Sequence, residues 1–361
     1  FSALFERRKL MAFRSAAGYG NLPNGNFSPV IYSKKVQTAF RKTSVVEDIT
    51  NNDYMGEISN FGDSVRIIKE PEVSVQAYSR GTQVVPQDLD DEDFTLVIDQ
   101  ANYFAFKIDD IEAAHSHVNF ESLATDRAGY RLRDQFDQEI FGYMSGYKQA
   151  ALHANASAAR VAADKSGTDP VSADADGLLA SMKLDLGSFG GSAGNSIPVG
   201  QNTSAISPLA VINRMARKLD QQNVDRDGRW LVVDPVFAEQ LNDENSKLLS
   251  NDFAGRQDAG DILRNGRIID GMVRGFRIYM SNNLPIIGTG PGTVATGGSS
   301  SNYGVIIAGH DSAVATASQI EKVETYRDND SFSDVVRGLH LYGRKLLRPE
   351  AITRAVYNVY E

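Results

Sequence analysis

The chain has 361 residues, of which 42% are hydrophobic and 23% charged, enough for two compact domains with real cores. Its formal charge of −9 and pI near 5.2 mean that the surface as a whole repels nucleic acid and anionic membrane, so any contact with a polyanion must be local. Cysteine is absent, which excludes a disulfide framework, thiolate catalysis and sulfur-ligated zinc or iron–sulfur sites.

No window approaches the roughly 18 apolar residues that a membrane span needs. The first residues, FSALFERRKLMAF, carry Glu6, Arg7, Arg8 and Lys9 where a signal peptide would be apolar, so a cytoplasmic product is expected. Residues 1–57 mix Gly, Asn and Pro around one short helical patch, Val36 to Arg41, and read as an arm rather than a domain. From Ile58 to Ile108 the apolar period becomes two. Val65 and Ile67 alternate with Ser64 and Arg66, Val73 and Val75 follow Pro71, and Phe94, Leu96 and Ile98 return beyond an acidic tip, ahead of Phe104, Phe106 and Ile108. The pattern predicts a long two-way ribbon whose apolar alternation lies away from any core of its own.

Asp109 stands where a helix cap belongs, with Glu112 three residues on to complete a capping box. Ala128, Leu132, Phe136, Ile140 and Met144 then repeat at helical spacing, with Arg127, Arg131, Arg133, Asp134 and Asp137 off that stripe, predicting an amphipathic helix to about Lys148. Residues 149–206 are rich in Ala, Gly and Ser and predict loops, with one short helix near Leu178 to Leu184. Ser207-Pro208 opens a helix with Leu209, Ile212, Met215 and Leu219 on one face. Trp230 to Val233 is a buried strand, and Asp234-Pro235 starts another helix. Strands are expected at Phe276 to Met280, Val305 to Ala308, Glu321 to Tyr326 and from Leu339 to Leu347. This central part is an α/β layer domain.

Candidate chemistry is sparse. His115 and His117 are a close pair, but on a helix their directions differ by about 200° and they cannot share a metal. His310-Asp311-Ser312 is a consecutive run that cannot form a triad by itself. Gly288, Gly290 and Gly292 lack the third spacing and the following helix of a dinucleotide site. The acidic runs beginning at Asp225 and Asp328 lack the closing Glu of a calcium loop and read as turns. No cofactor and no metal is expected.

Four stretches, MGEISNFGDSVRIIKEPEVSVQAYSRG from Met55, FTLVIDQANYFAFKIDDIEAAHS from Phe94, GRWLVVDP with GFRIYMSNNLP, and AVATASQIEKVETYRDNDSFSDVVRGLHLYGRKLLRPEAI, carry a resemblance by their order and spacing. The chain resembles the major capsid proteins of tailed double-stranded DNA bacteriophages, with the Hong Kong 97-like fold, and is most similar to those of short-tailed phages. The resemblance implies an α+β fold, self-assembly into pentamers and hexamers of an icosahedral shell around packaged double-stranded DNA, and no enzymatic activity. It implies residues 1–57 as an N-terminal arm and 58–108 as an extended loop. It further implies 109–165 with 319–345 as a peripheral domain built on the long helix, and 166–318 with 346–361 as an axial domain. Implied partners are other copies of the chain, a portal protein at one vertex, scaffolding and cement proteins, and DNA by non-specific contact, with no membrane. The implied location is the virion capsid, assembled in the bacterial host cytoplasm. No motif fixes a Lys–Asn crosslink, and none is carried over.

On this reading a neighbouring copy covers the ribbon, with Val73, Val75, Asp88, Asp90, Asp91, Glu92 and Asp93 at the interface. Its acids would face basic partners among Arg127, Arg131, Arg133, Arg344, Lys345 and Arg348, steering assembly more than strengthening it. Arg7, Arg8, Lys9 and Arg14 of the arm would lie at the inner surface, near DNA or scaffold. Two alternatives stay open: an encapsulin-type compartment shell, and an α/β hydrolase-like enzyme around His310 or Asp234.

Overall fold

The computed structural model describes residues 45–53, 64–68, 93–110, 120–146, 178–200, 205–241, 272–287 and 302–360, with 73, 75–81, 83, 86 and 291 from the stretches between. In chain order the elements are α1 (Val46–Ile49), β1 (Ser64–Ile68), β2 (Asp93–Val97), β3 (Gln100–Asp109), α2 (Phe120–Ser145), β4 (Lys183–Leu184), β5 (Ile197–Val199) and α3 (Pro208–Gln221). There follow β6 (Arg229–Val233), α4 (Pro235–Leu241), β7 (Met272–Val273), β8 (Phe276–Met280), β9 (Ile286–Ile287), β10 (Tyr303–His310), β11 (Val314–Arg327), β12 (Ser333–Leu346) and β13 (Ile352–Val359).

The main core belongs to an eight-stranded mixed sheet with the order β4-β13-β10-β6-β8-β7, in which β5 also pairs with β13 and β9 with β10. Its central strands β6 and β13 are buried at every position and β10 at all but His310, the continuous apolar pattern of a sheet covered on both faces. Trp230, Phe237, Phe276 and Tyr357 fill this core. The two helix starts read from sequence differ in chemistry. Asp234 caps α4 through its side chain, which accepts from Phe237 N at 3.1 Å. Ser207 holds the cap position of α3 without a side-chain cap bond, and Pro208 with the Ser207 carbonyl suffices there. The short helix expected near Leu178 to Leu184 is one 3-10 turn, Ala180–Met182, running straight into β4.

A second, three-stranded antiparallel sheet has the order β11-β12-β3, and α2 lies against it. The strand containing Phe104, Phe106 and Ile108, read from sequence as part of the ribbon, pairs instead along its whole length with β12, from Gln100↔Tyr342 to Asp109↔Ser333. Period two identifies a strand but not its partner, and a partner more than 220 residues away leaves no local signature. Asp109, expected as a helix cap, is the last residue of β3 and directly precedes helical Asp110; Glu112 lies outside the described residues, as does the patch Val36 to Arg41.

Helix α2 runs 26 residues, about 39 Å. Ile140 and Met144 of the expected stripe are buried and Phe136 packs on the core. Asp134 and Asp137, placed off the stripe, are buried as well. Asp137 accepts from Val45 N at 3.3 Å, at the start of α1, which docks the chain's entry against the helix. Beyond Ser145 the helix end has no basic residue of its own in the last turn. Arg354 of β13 supplies one from outside, its Nη1 donating to Ser145 O at 2.6 Å and thereby joining the helix to the large sheet.

Candidate assembly surface

The ribbon is a two-stranded antiparallel pair, β1 with β2, in register from Ser64↔Val97 to Ile68↔Asp93. Its base is not bare, contrary to the sequence expectation. Leu96 and Ile98 are buried with Ala315 and Ala317, and Val65, Ile67, Leu341 and Leu347 pack around them, so a small core forms between ribbon and three-stranded sheet. Gly343 makes the seat possible: a Cβ there would lie 2.5 Å from Val97 O and 3.1 Å from Ile98 Cα, so the ribbon backbone crosses β12 where only a glycine permits it. The sequence marks Gly343 only as a glycine inside a strand pattern, a general sign of close backbone approach.

Farther out the ribbon leaves this seat. Val73 is 64% exposed, Val75 97% and Tyr78 68%, which makes them the apolar end of an element whose base is fixed and whose outer part has no cover from the described chain. Asp88, Asp90, Asp91 and Glu92 lie outside the described residues; Asp93 opens β2 opposite Ile68.

The six basic residues fall into two groups. Arg127, Arg131, Arg133 and Arg348 are exposed, Arg127 with its guanidinium 5.1 Å from the Tyr130 ring centre. Arg131 pairs with buried Asp134 at 3.4 Å on its own helix. Arg344 is half-buried, its Nη1 donating to Glu139 O at 2.9 Å and its guanidinium 5.0 Å from the Tyr143 ring centre; Lys345 is half-buried beside it. Arg133 also lines a cleft of about 330 Å³ with Glu47, Phe136, Thr316 and His340, between α1, α2 and the three-stranded sheet. Arg7, Arg8, Lys9 and Arg14 lie outside the described residues.

The acidic run at Asp328, read from sequence as a turn, is one, at the far end of the three-stranded sheet, and sequence reasoning missed only its distant partners. Asp328 accepts from Lys107 Nζ at 2.5 Å, Ser331 Oγ at 2.8 Å and Asp330 N at 3.3 Å, and these donors hold its carboxyl down at about 2, below the usual 3.8. Arg327 donates to Asp110 and, at 3.2 Å, to Asp334, and the Arg327 hydrogen bond lowers the Asp110 pKa. The turn so fixed presents Phe332, 81% exposed, at its tip. Arg337 bridges to Glu324 at 2.8 Å on the sheet surface.

The stretches screened for chemistry settle into structural roles. His310 Nδ1 lies 2.8 Å from Ser312 Oγ, but Asp311 turns to Arg277 at 2.7 Å rather than to His310, so no relay of the three forms. Asp225 accepts from Arg226 N at 2.6 Å within its own turn. Among the described residues no group of three or more His, Cys, Asp or Glu could hold a metal ion, and no helix is long and apolar enough to cross a membrane. His115 and His117 lie outside the described residues.

A mixed-sheet body, a long helix beside a smaller sheet, and a projecting ribbon define a protein whose conspicuous features are surfaces rather than a reaction centre. Residues 92–355 match the phage capsid protein family, and the chain belongs to it. Similar solved structures include a chain of Mycobacterium phage Che8, at 27% identity and TM-score 0.68, covering 92% of this chain and 98% of that one. The capsid of cyanophage P-SCSP1u follows at 18% identity and TM-score 0.63, covering 97% and 100%. The capsid of Ralstonia phage GP4 matches at 15% and 0.62, covering 96% and 98%. No curated protein matches the chain in sequence. The chain is thus a structural major capsid protein, a building block of the icosahedral shell, and its α+β fold is that of phage capsids.

Proposed function

We propose that the chain has the Hong Kong 97-like form of the capsid fold and builds pentamers and hexamers around packaged double-stranded DNA. In this reading residues 1–57 are the arm, 58–108 the extended loop, 109–165 with 319–345 the peripheral domain, and 166–318 with 346–361 the axial domain. A portal protein occupies one vertex, scaffolding and cement proteins are optional partners, and assembly takes place in the host cytoplasm.

The observation that carries this reading is the ribbon's division of labour. Its base is anchored by Leu96, Ile98 and the close approach at Gly343, while Val73, Val75 and Tyr78 project uncovered. An anchored base fixes direction, so little ordering entropy remains to oppose docking of the apolar end on a neighbouring copy. Asp88, Asp90, Asp91, Glu92 and Asp93 of the ribbon then face basic residues of that neighbour, the exposed Arg127, Arg131, Arg133 and Arg348 and the half-buried Arg344 and Lys345, a pairing that sets approach and register. Arg7, Arg8, Lys9 and Arg14 face the interior, where a local cationic arm meets DNA despite the net charge of −9.

The test is electron microscopy and sedimentation of the purified chain, with the nucleic acid content of particles recovered from infected cells. Closed shells carrying double-stranded DNA are expected. Shells that enclose protein cargo instead would favour the compartment reading, and stable monomers at all concentrations would end both.

A further inference from the structure

The two edges of the three-stranded sheet are built differently. Along β11 the edge is defended: a bulge interrupts the register between Ser318 and Ile320, and the strand carries Glu321, Lys322, Glu324 and Arg327. Its beginning is also occupied, since Asn51 bridges Ala315, with Asn51 N donating to Val314 O at 2.9 Å and Thr316 N to Asn51 O at 3.0 Å. Bulges, charges and covering segments are the devices by which sheets stop unwanted strand addition.

The opposite edge, β3, carries no bulge, and no charge from Gln100 to Phe106. It runs ten residues, QANYFAFKID, in unbroken register with β12, without proline or bulge, and without a charge before Lys107. Lys107 is itself paired with Asp328. Among the described residues no strand lies along its outer side. Tyr103, Ala105 and Lys107 alternate outward, with Tyr103 72% exposed, beside exposed Leu339 in the neighbouring strand.

We propose that the outer edge of β3, from Tyr103 to Ile108, takes a strand from a second copy of this chain, extending the sheet across a subunit boundary. The proposal rests on the shell reading, in which copies meet at high local concentration. A bare edge on such a chain must be either blocked or used, and the same sheet blocks its other edge. Charge points to the same occupant: copies with a net charge of −9 each repel one another, so a contact between copies is best made where the edge is uncharged, as it is from Gln100 to Phe106.

Hydrogen exchange on unassembled chain and on shells made from the purified chain alone tests this. The amides in 103–108 that point away from β12 should exchange freely before assembly and become at least about tenfold slower in shells. A double variant, Tyr103→Lys with Ala105→Lys, should keep the wild-type melting curve because both positions are exposed, yet lower shell yield by about tenfold or more. Thr325→Lys, exposed on the defended β11, should stay within about twofold of wild type. Shells in which these amides exchange as in the free chain would overturn the edge pairing while leaving the shell function intact. Protection that appears only when another protein is present would also overturn it, as would full yield from the double variant. Failure of the wild-type chain to form any shell would remove the underlying reading as well.

Discussion

The eight-stranded sheet and the three-stranded sheet are made of similar residues and serve opposite ends. In β13 every side chain is buried, whereas in β3 burial alternates, buried or half-buried toward α2 and exposed away from it. Among the described residues, nine of the twelve large exposed apolar side chains, including Val75, Tyr103, Tyr326 and Phe332, lie on the ribbon or the three-stranded sheet. A strand buried on both faces completes its energetics within one chain. A strand buried on one face leaves the other for a neighbour, and that is where an assembling protein keeps its contacts.

The contrast breaks if the two sheets respond alike to truncation. Trp230, fully buried in β6, touches the backbone of Gly309 closely enough that a Cβ there would lie 2.9 Å from its ring. Trp230→Ala should cost about 3–5 kcal/mol, read as a shifted urea midpoint by far-UV circular dichroism, whereas Tyr103→Ala should stay within about 0.5 kcal/mol. Equal losses would mean that the three-stranded sheet is as complete by itself as the large one.

Next in size is Asp234, buried with its carboxylate accepting from Phe237 N and from the Tyr357 hydroxyl. Asp234→Ala removes a helix cap and strands a buried hydroxyl, for a loss of about 2–4 kcal/mol. Burial raises the Asp234 pKa, and its hydrogen bonds, that from Tyr357 first, only partly oppose it. A raised folded value means that this group's contribution is present below its unfolded value near 3.8 and is lost as pH rises through the folded one. Asp234→Asn should therefore flatten the slope of stability against pH just above 4 relative to wild type, measured by denaturation across pH about 3–7.

Much of the large sheet was legible because its strands are short apolar runs flanked by turn or cap signals, as with Trp230 to Val233 before Asp234-Pro235. The ribbon was legible as a ribbon, and Val73 and Val75 as exposed apolar residues. Pairing was not. Gln100–Asp109 alternates whether it pairs with β2 or with β12, and only the three-dimensional arrangement chooses. Charge misled in a related way: Asp137 and Asp134 looked solvated by helical position, but α1 and Arg131 give them partners distant in sequence or on the next turn. Arg344 looked like surface charge and is spent on a helix carbonyl and a tyrosine ring.

Gly343→Ala sharpens the comparison at the junction of ribbon and sheet. A methyl group 2.5 Å from Val97 O forces the ribbon to lift, disturbing the packing of Leu96 and Ile98 but not the main core. The expected cost is about 1–3 kcal/mol. Its signature should be local, with faster amide exchange in 64–68 and 93–98 and unchanged exchange in β6 and β10. A uniform acceleration would show that ribbon and large sheet unfold as one unit, against the separation argued here.

The smallest effect belongs to the turn that presents Phe332. Asp328 titrates at about 2 because Lys107, Ser331 and the Asp330 amide all donate to it, in that order of influence. A depressed carboxylate stabilises above its unfolded value and loses that contribution as pH falls from 3.8 toward about 2, so the turn should loosen only in that acid window. Lys107→Ala should raise the Asp328 value without restoring 3.8, since Ser331 and Asp330 still donate, and the shift can be followed by carboxyl carbon NMR. Global melting near neutral pH should hardly move, because the pair is solvent-exposed. An Asp328 titration unchanged in Lys107→Ala would show that the turn is set by its own short-range bonds and owes nothing to β3, removing one of the ties between the tip and the edge beside it.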